Sequence, residues 1–84
     1  NDEGLKALSA RVVRAAPNFE SANRVRAIVL RGQCDAWEAG PRSVAEFREA
    51  ATHYERAEVL CTAPVIKAEL AANADWCRRL ANTM

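Results

Sequence analysis

Apolar residues recur along this chain at steps of three and four. Leu5, Leu8, Val12 and Ala15 or Ala16 mark one such stripe and predict a helix from about Glu3 to Ala15, with Asp2 as its cap. The "APN" at Ala16 to Asn18 ends it, because proline disfavours helical geometry in the residue before it. A second helix follows from Phe19 or Ser21 to Ala39, capped by Asn18 or Ser21. It has two apolar faces, one of Val25, Ile28 and Val29 and one of Ala27, Leu30, Cys34 and Trp37, so it is expected to be covered from two directions. Gly32 falls within this helix and reads as a close helix contact, while Gly40 and Pro41 read as the stop.

Ser43 to Glu46, "SVAE", has the form of a capping box, in which serine and glutamate satisfy each other's backbone donors. The helix it opens carries Val44, Phe47, Ala51, Tyr54, Ala57 or Glu58, and Cys61 in register, and "TAP" closes it. A fourth helix runs from Pro64 or Val65 to about Leu80, with Ile66, Leu70, Ala74, Cys77 and Ala81 on one side. Asp2 with Lys6, Glu20 with Arg24, and Asp75 with Arg79 place an acid four residues before a base, as supports a helix. No stretch alternates with period two. The fold class is therefore all-α. The short connections make consecutive helices antiparallel neighbours, either as stacked helical hairpins or as a closed four-helix bundle.

Composition narrows the function. Eighty-four residues suit a single domain or a piece of a longer helical array. Lys and Arg number 12 against 11 Asp and Glu, a net charge of +1, which gives no global field for nucleic acid or an anionic membrane. Arg11, Arg14, Arg24, Arg26 and Arg31 cluster in the first half, and a solvated surface is the plain reading of them. No apolar run is long enough for a membrane span, and the N-terminus has no signal-peptide pattern. Three cysteines, an odd number, point away from a disulfide framework and toward a reducing, cytoplasmic compartment.

The stretch "EAATHYERAEVLCTAP" resembles the second helix and turn of a tetratricopeptide repeat. Ala50, Tyr54, Ala57, Leu60 and Pro64 match that pattern in kind, with the proline a residue or two late. The resemblance implies that alanines let two helix backbones approach while Phe47 and Tyr54 fill the space beside them. "ALSARVVRAAPN" then corresponds to the second helix of a preceding repeat, and "LAANADWC" to the first helix of a following one. Pro17 and Pro64 stand 47 residues apart, longer than the repeat period of about 34, so longer hairpins are implied. The lysine and asparagine clamp by which some members hold a carboxylate tail has no counterpart here: the matching positions carry Arg24 and Ile28, and Ala71 and Asp75.

Chemistry is sparse. His53 is the sole histidine and reads as a surface residue paired with Glu49 one turn away. Cys34, Cys61 and Cys77 lack metal-ligand spacing and read as buried free thiols, with only Cys34 and Cys77 able to stand level. Trp37 and Trp76 read as packing residues. No catalytic residue, metal ligand or cofactor site is expected. The function expected is a non-catalytic protein-interaction scaffold, whose groove takes a peptide or partner helix. Asn23, Arg24, Arg26, Arg31, Asn73 and Arg78 are its candidate contact residues. A structural or self-associating four-helix bundle is the alternative, and an RNA-binding helical repeat a more distant one.

Overall fold

The structure is a computed structural model that describes residues 1–32 and 36–84. Among these residues there are four α-helices and no strand: α1 (Asp2–Ala15), α2 (Glu20–Arg31), α3 (Val44–Leu60) and α4 (Pro64–Thr83). The all-α class read from the periodicity is what the chain adopts.

Each helix boundary has a local cause. Asn1 caps α1, its Oδ1 accepting the Gly4 amide at 2.6 Å, so the expected cap, Asp2, is instead a first-turn residue with other work. α2 starts at Glu20, and its N-cap is Phe19, whose side chain has no group to cap with, rather than the expected Asn18 or Ser21; the Ser21 hydroxyl bonds to Glu20. α2 also ends earlier than its pattern suggests. Gly32 takes a left-handed φ of 68° and its amide returns to the Ile28 carbonyl at 3.2 Å, so this glycine is the stop rather than a close contact within the helix. Ala36–Ala39 is not helical; the expected extension through 33–35, and Cys34 with it, lies outside the described residues. The capping box at α3 forms as expected, with the Glu46 amide on Ser43 Oγ at 3.1 Å and the Ser43 amide on Glu46 Oε1 at 2.9 Å. Pro64 occupies the first turn of α4, where its missing N–H costs no hydrogen bond.

α1 packs on α2, α2 on α3 and α3 on α4. The molecule measures 32 × 31 × 21 Å, and its short dimension is about two helix diameters. The core is centred on α3. Ala50, Ala51 and Ala57 have no exposed surface, nor does Ala27 of α2, and Phe47, Tyr54, Leu70, Ala74, Cys77 and Ala81 surround them. The small residues are thus fully buried within the cluster that joins α2, α3 and α4, with Phe47 and Tyr54 packed among them.

One face differs from its pattern. On α1 the buried residues are Ser9 and Val13, whereas Leu8 and Val12 are 52% and 44% exposed. The cause is Arg26 of α2, which donates from Nη1 to the Lys6 carbonyl at 2.8 Å and to Ser9 Oγ at 3.1 Å. A buried guanidinium needs acceptors more than an apolar neighbour, so the serine side of α1 turns inward.

The segment between α2 and α3 is held by Arg42, whose side chain is 4% exposed. Nε donates to the Leu30 carbonyl at 2.8 Å and Nη2 to the Val29 carbonyl at 2.9 Å, closing the end of α2. Nη1 and Nη2 also grip both oxygens of Asp2, at 2.8 and 2.7 Å, and Nη1 reaches the Gly40 carbonyl. Trp37 Nε1 and the Gly40 amide donate to the same carboxylate. The Arg42 and Trp37 bonds hold the Asp2 carboxyl well below the usual carboxylate range.

Candidate functional site

Two groups of polar side chains are built into the helix packing. The first spans α2 and α4. Arg31 Nη1 donates to Asn73 Oδ1 at 2.7 Å, while Asn73 Nδ2 donates back to the Glu69 carbonyl at 3.0 Å, which fixes the amide's orientation. The guanidinium lies 4.3 Å from the centroid of the Trp76 ring, a cation–π geometry, and Trp76 meets Phe47 edge-on with centroids 6.1 Å apart. Tyr54 Oη is 3.4 Å from the same guanidinium. Arg31 Nε is buried with no acceptor among the described residues. One and two turns earlier on α2, Ile28 and Arg24 continue the same stripe, and Arg24, paired with Glu20 at 3.6 Å, shares a shallow depression with Ile66 of α4. The early part of α2 therefore lies beside the early part of α4, and Arg31 beside its middle.

The second group lies between α1, α2 and α3. Asn23 is fully buried; its Nδ2 donates to the Pro17 and Phe19 carbonyls at 2.9 and 3.0 Å, leaving Oδ1 to face His53 Nδ1 at 3.0 Å. His53 is only 6% exposed, so it is not the surface histidine its sequence context suggests. Its expected neighbour is present, with Nε2 lying 3.3 Å from Glu49 Oε2, an oxygen that Arg26 Nη2 also contacts at 3.3 Å. Burial pushes the His53 pKa down, against the upward pull of Glu49, and the nearby Arg56 and Arg26 add to the depression. Arg26, Glu49 and His53 border an open cleft of about 340 Å³ that Arg14 of α1 and Arg56 of α3 also line.

The six candidate contact residues are thus divided. Arg24, Arg31 and Asn73 share the α2–α4 face. Asn23 and Arg26 lie on the other side of α2, engaged with His53, Ser9 and Glu49. Arg78 makes a two-point pair with Glu55 of α3, at 3.0 and 2.6 Å. Trp76 and His53 join the two groups although the sequence reading left both aside. The only signal for Trp76 was its position one turn after Asn73 on α4.

Among the described residues no group of three His, Cys, Asp or Glu side chains converges as metal ligands would. Among the same residues no helix is long and apolar enough to cross a membrane. Cys61 is half-buried and Cys77 buried, both as free thiols, and burial pushes the Cys77 thiol up. Compared with protein-family models, with curated proteins and with solved structures, the chain matches none.

Proposed function

We propose that this chain is a non-catalytic protein-interaction module, tetratricopeptide-like in plan, that receives a peptide or helix of another protein along the face shared by α2 and α4. The observation that carries this reading is the Arg31–Trp76 pair, held in place by Asn73 across two helices. Arginine and tryptophan dominate the binding energy of many interfaces, and a pair already ordered loses little entropy on binding. Ile28 and Ile66, both half-buried, add apolar surface on the same two helices. A reducing, cytoplasmic setting accords with the free thiols of Cys61 and Cys77. The near-neutral charge argues against RNA as the main ligand.

The test is selection of peptides from a displayed random library, followed by anisotropy with Arg24→Glu and Arg31→Ala. Selected peptides should compete for one site and bind the Arg31→Ala protein at least about tenfold more weakly, as loss of an interfacial arginine gives. Equal binding by wild type and both variants excludes this face. A library that yields no saturable binder favours the alternative, a structural or self-associating helix bundle, to which the exposed Leu8 and Val12 on α1 would be suited.

A further inference from the structure

The cleft between α1 and α3 lies on the side of α2 away from the proposed groove, and its charge is unusual for this nearly neutral chain. Arg14, Arg26 and Arg56 line it with a single carboxylate, Glu49. Arg26 is paired with that carboxylate, and its Nε has no acceptor among the described residues. Arg14 and Arg56 form no ion pair or hydrogen bond among the described residues, whereas most of the chain's other arginines are engaged. Three guanidinium groups against one carboxylate leave a local charge of about +2 with His53 neutral, which is the complement of a phosphate monoester near neutral pH.

The ground beside the cleft says what should carry such a group. Pro17 and Arg56 border both the cleft and a neighbouring depression, whose other walls include Thr52, Val59 and Leu60. Val59 is 79% exposed and Leu60 36%, so the depression presents apolar surface to solvent. Its one carboxylate, Glu55, is already neutralised by Arg78. An arginine cleft opening onto apolar ground fits a charged side chain with an apolar neighbour in the same ligand.

We propose that this cleft binds the phosphate of a phosphorylated serine or threonine in a peptide, with Arg14 and Arg56 as its principal contacts and an adjacent apolar residue of the peptide resting against Val59 and Leu60. Arg26 and His53 form the floor. Arg26 holds the site's charge in place through its bonds to α1, and the phosphate replaces part of its contact with Glu49. The site is independent of the α2–α4 face, so a peptide can be held there whether or not the other face binds a partner.

The experiment is an NMR titration of the labelled full chain at fixed ionic strength. It follows the arginine Nε–Hε signals and the His53 ring, using four probes: inorganic phosphate, doubly blocked phosphoserine, blocked phosphoserine-leucine and blocked serine-leucine. Saturable shifts of Arg14, Arg56 and His53 are expected with the phosphorylated probes and not with serine-leucine. Phosphoserine-leucine should bind several-fold more tightly than inorganic phosphate, as burial of one leucine side chain would give. R14Q and R56Q should each weaken it about fivefold or more, as loss of a charge-assisted contact gives. R11Q, an exposed arginine on α1 outside the cleft, should leave affinity unchanged. Shifts that track chloride, or equal weakening by R11Q, would overturn the site. Equal affinity for inorganic phosphate and phosphoserine-leucine would overturn the peptide and leave a small phosphate as the ligand. None of these readouts involves Arg31, so failure here and failure of the α2–α4 groove are separable.

Discussion

Asn23 Oδ1 lies 3.0 Å from His53 Nδ1, and because two carbonyls hold the amide's other end, the imidazole must donate from Nδ1. In the neutral ring Nε2 then carries a lone pair toward Glu49, 3.3 Å away. Protonation would supply the missing proton to that contact, but it would place a cation among buried groups facing Arg26 and Arg56. Burial wins, and the folded pKa lies below the ordinary value of 6.5.

The sign of the pH dependence follows. A group whose pKa is depressed in the folded state contributes stability that is present above its unfolded pKa and lost as pH falls toward the folded one. Stability should therefore decline as pH drops below about 6.5, where the unfolded histidine takes up its proton first. His53→Gln should flatten that part of the profile in denaturant melts. Glu49→Gln removes the one group pulling the pKa up, and the His53 ring signal should then titrate at lower pH than in wild type. A rise would show that Glu49 does not pull the His53 pKa up. A second loss is expected as pH falls through the ordinary carboxylate range, where the unfolded chain takes up protons that Asp2, Glu46 and Glu55, all with depressed pKa in the fold, still refuse.

Arg42→Ala should be among the most damaging single substitutions. It leaves the Val29 and Leu30 carbonyls without their donor and frees the N-terminus of α1 from the α2–α3 segment. A loss of about 2 kcal/mol or more is expected, as for removal of charged hydrogen bonds at a buried site, which lowers Tm by roughly 10 °C in a domain of this size. Arg42→Lys should not restore it, since an ammonium cannot reach two carbonyls and two carboxylate oxygens in one plane. Thermal melts of the two variants side by side check both statements.

Ala57→Leu probes the close helix crossing. Ala57 has no exposed surface and belongs to the cluster that joins α2, α3 and α4. Three added carbons have no space there, and overpacking should cost about 1–3 kcal/mol. A melt unchanged from wild type would mean that the alanines of α3 are not at the point of closest approach.

The elements of this fold were legible because their signals are local. Ser43 and Glu46 specify a helix start by themselves, and the steps from Ile66 to Ala81 specify a buried face whatever lies opposite. What the pattern misplaced depends on residues distant in sequence. Gly32 ends α2 beside the Arg42 guanidinium, which a Cβ at that position would meet at 2.9 Å. The inward side of α1 is set by the acceptors Arg26 requires, and His53 is buried because Asn23 has an oxygen to spare for it. The candidate site was legible only in part for the same reason. A list of arginines and asparagines does not say that Arg31 and Asn73 meet across two helices while Arg26 points the other way.

The thiols should separate by reactivity. Cys77 is buried with its pKa raised, so a bulky maleimide should reach it only when the chain unfolds. Cys61 is half-buried at the end of α3, its thiol bonded only weakly, to the Ala63 carbonyl at 3.7 Å. It should label in the folded state, more slowly than a free thiol. Peptide mapping after timed labelling distinguishes the two, and fast modification of Cys77 would contradict its place in the core.

The last test concerns α1, where the stripe of its pattern and the face it buries disagree. If the helix lay with Leu8 and Val12 inward, each change there to lysine would bury a charge and cost several kcal/mol. In the structure both are about half exposed, so Leu8→Lys and Val12→Lys should each alter stability by no more than about 0.5 kcal/mol. Val13, 9% exposed, should behave oppositely, with Val13→Lys destabilising because it replaces a buried apolar side chain with a longer charged one that must be desolvated or displaced from the packing. Ser9→Ala should also cost about 1 kcal/mol, since it removes one acceptor from the Arg26 guanidinium, whose Nε already lacks one. Denaturant midpoints for the four variants decide the rotation of this helix. Tolerance at Leu8 and Val12 with sensitivity at Ser9 and Val13 is the expected pattern, and the reverse would turn α1 about its axis by roughly one residue's 100°.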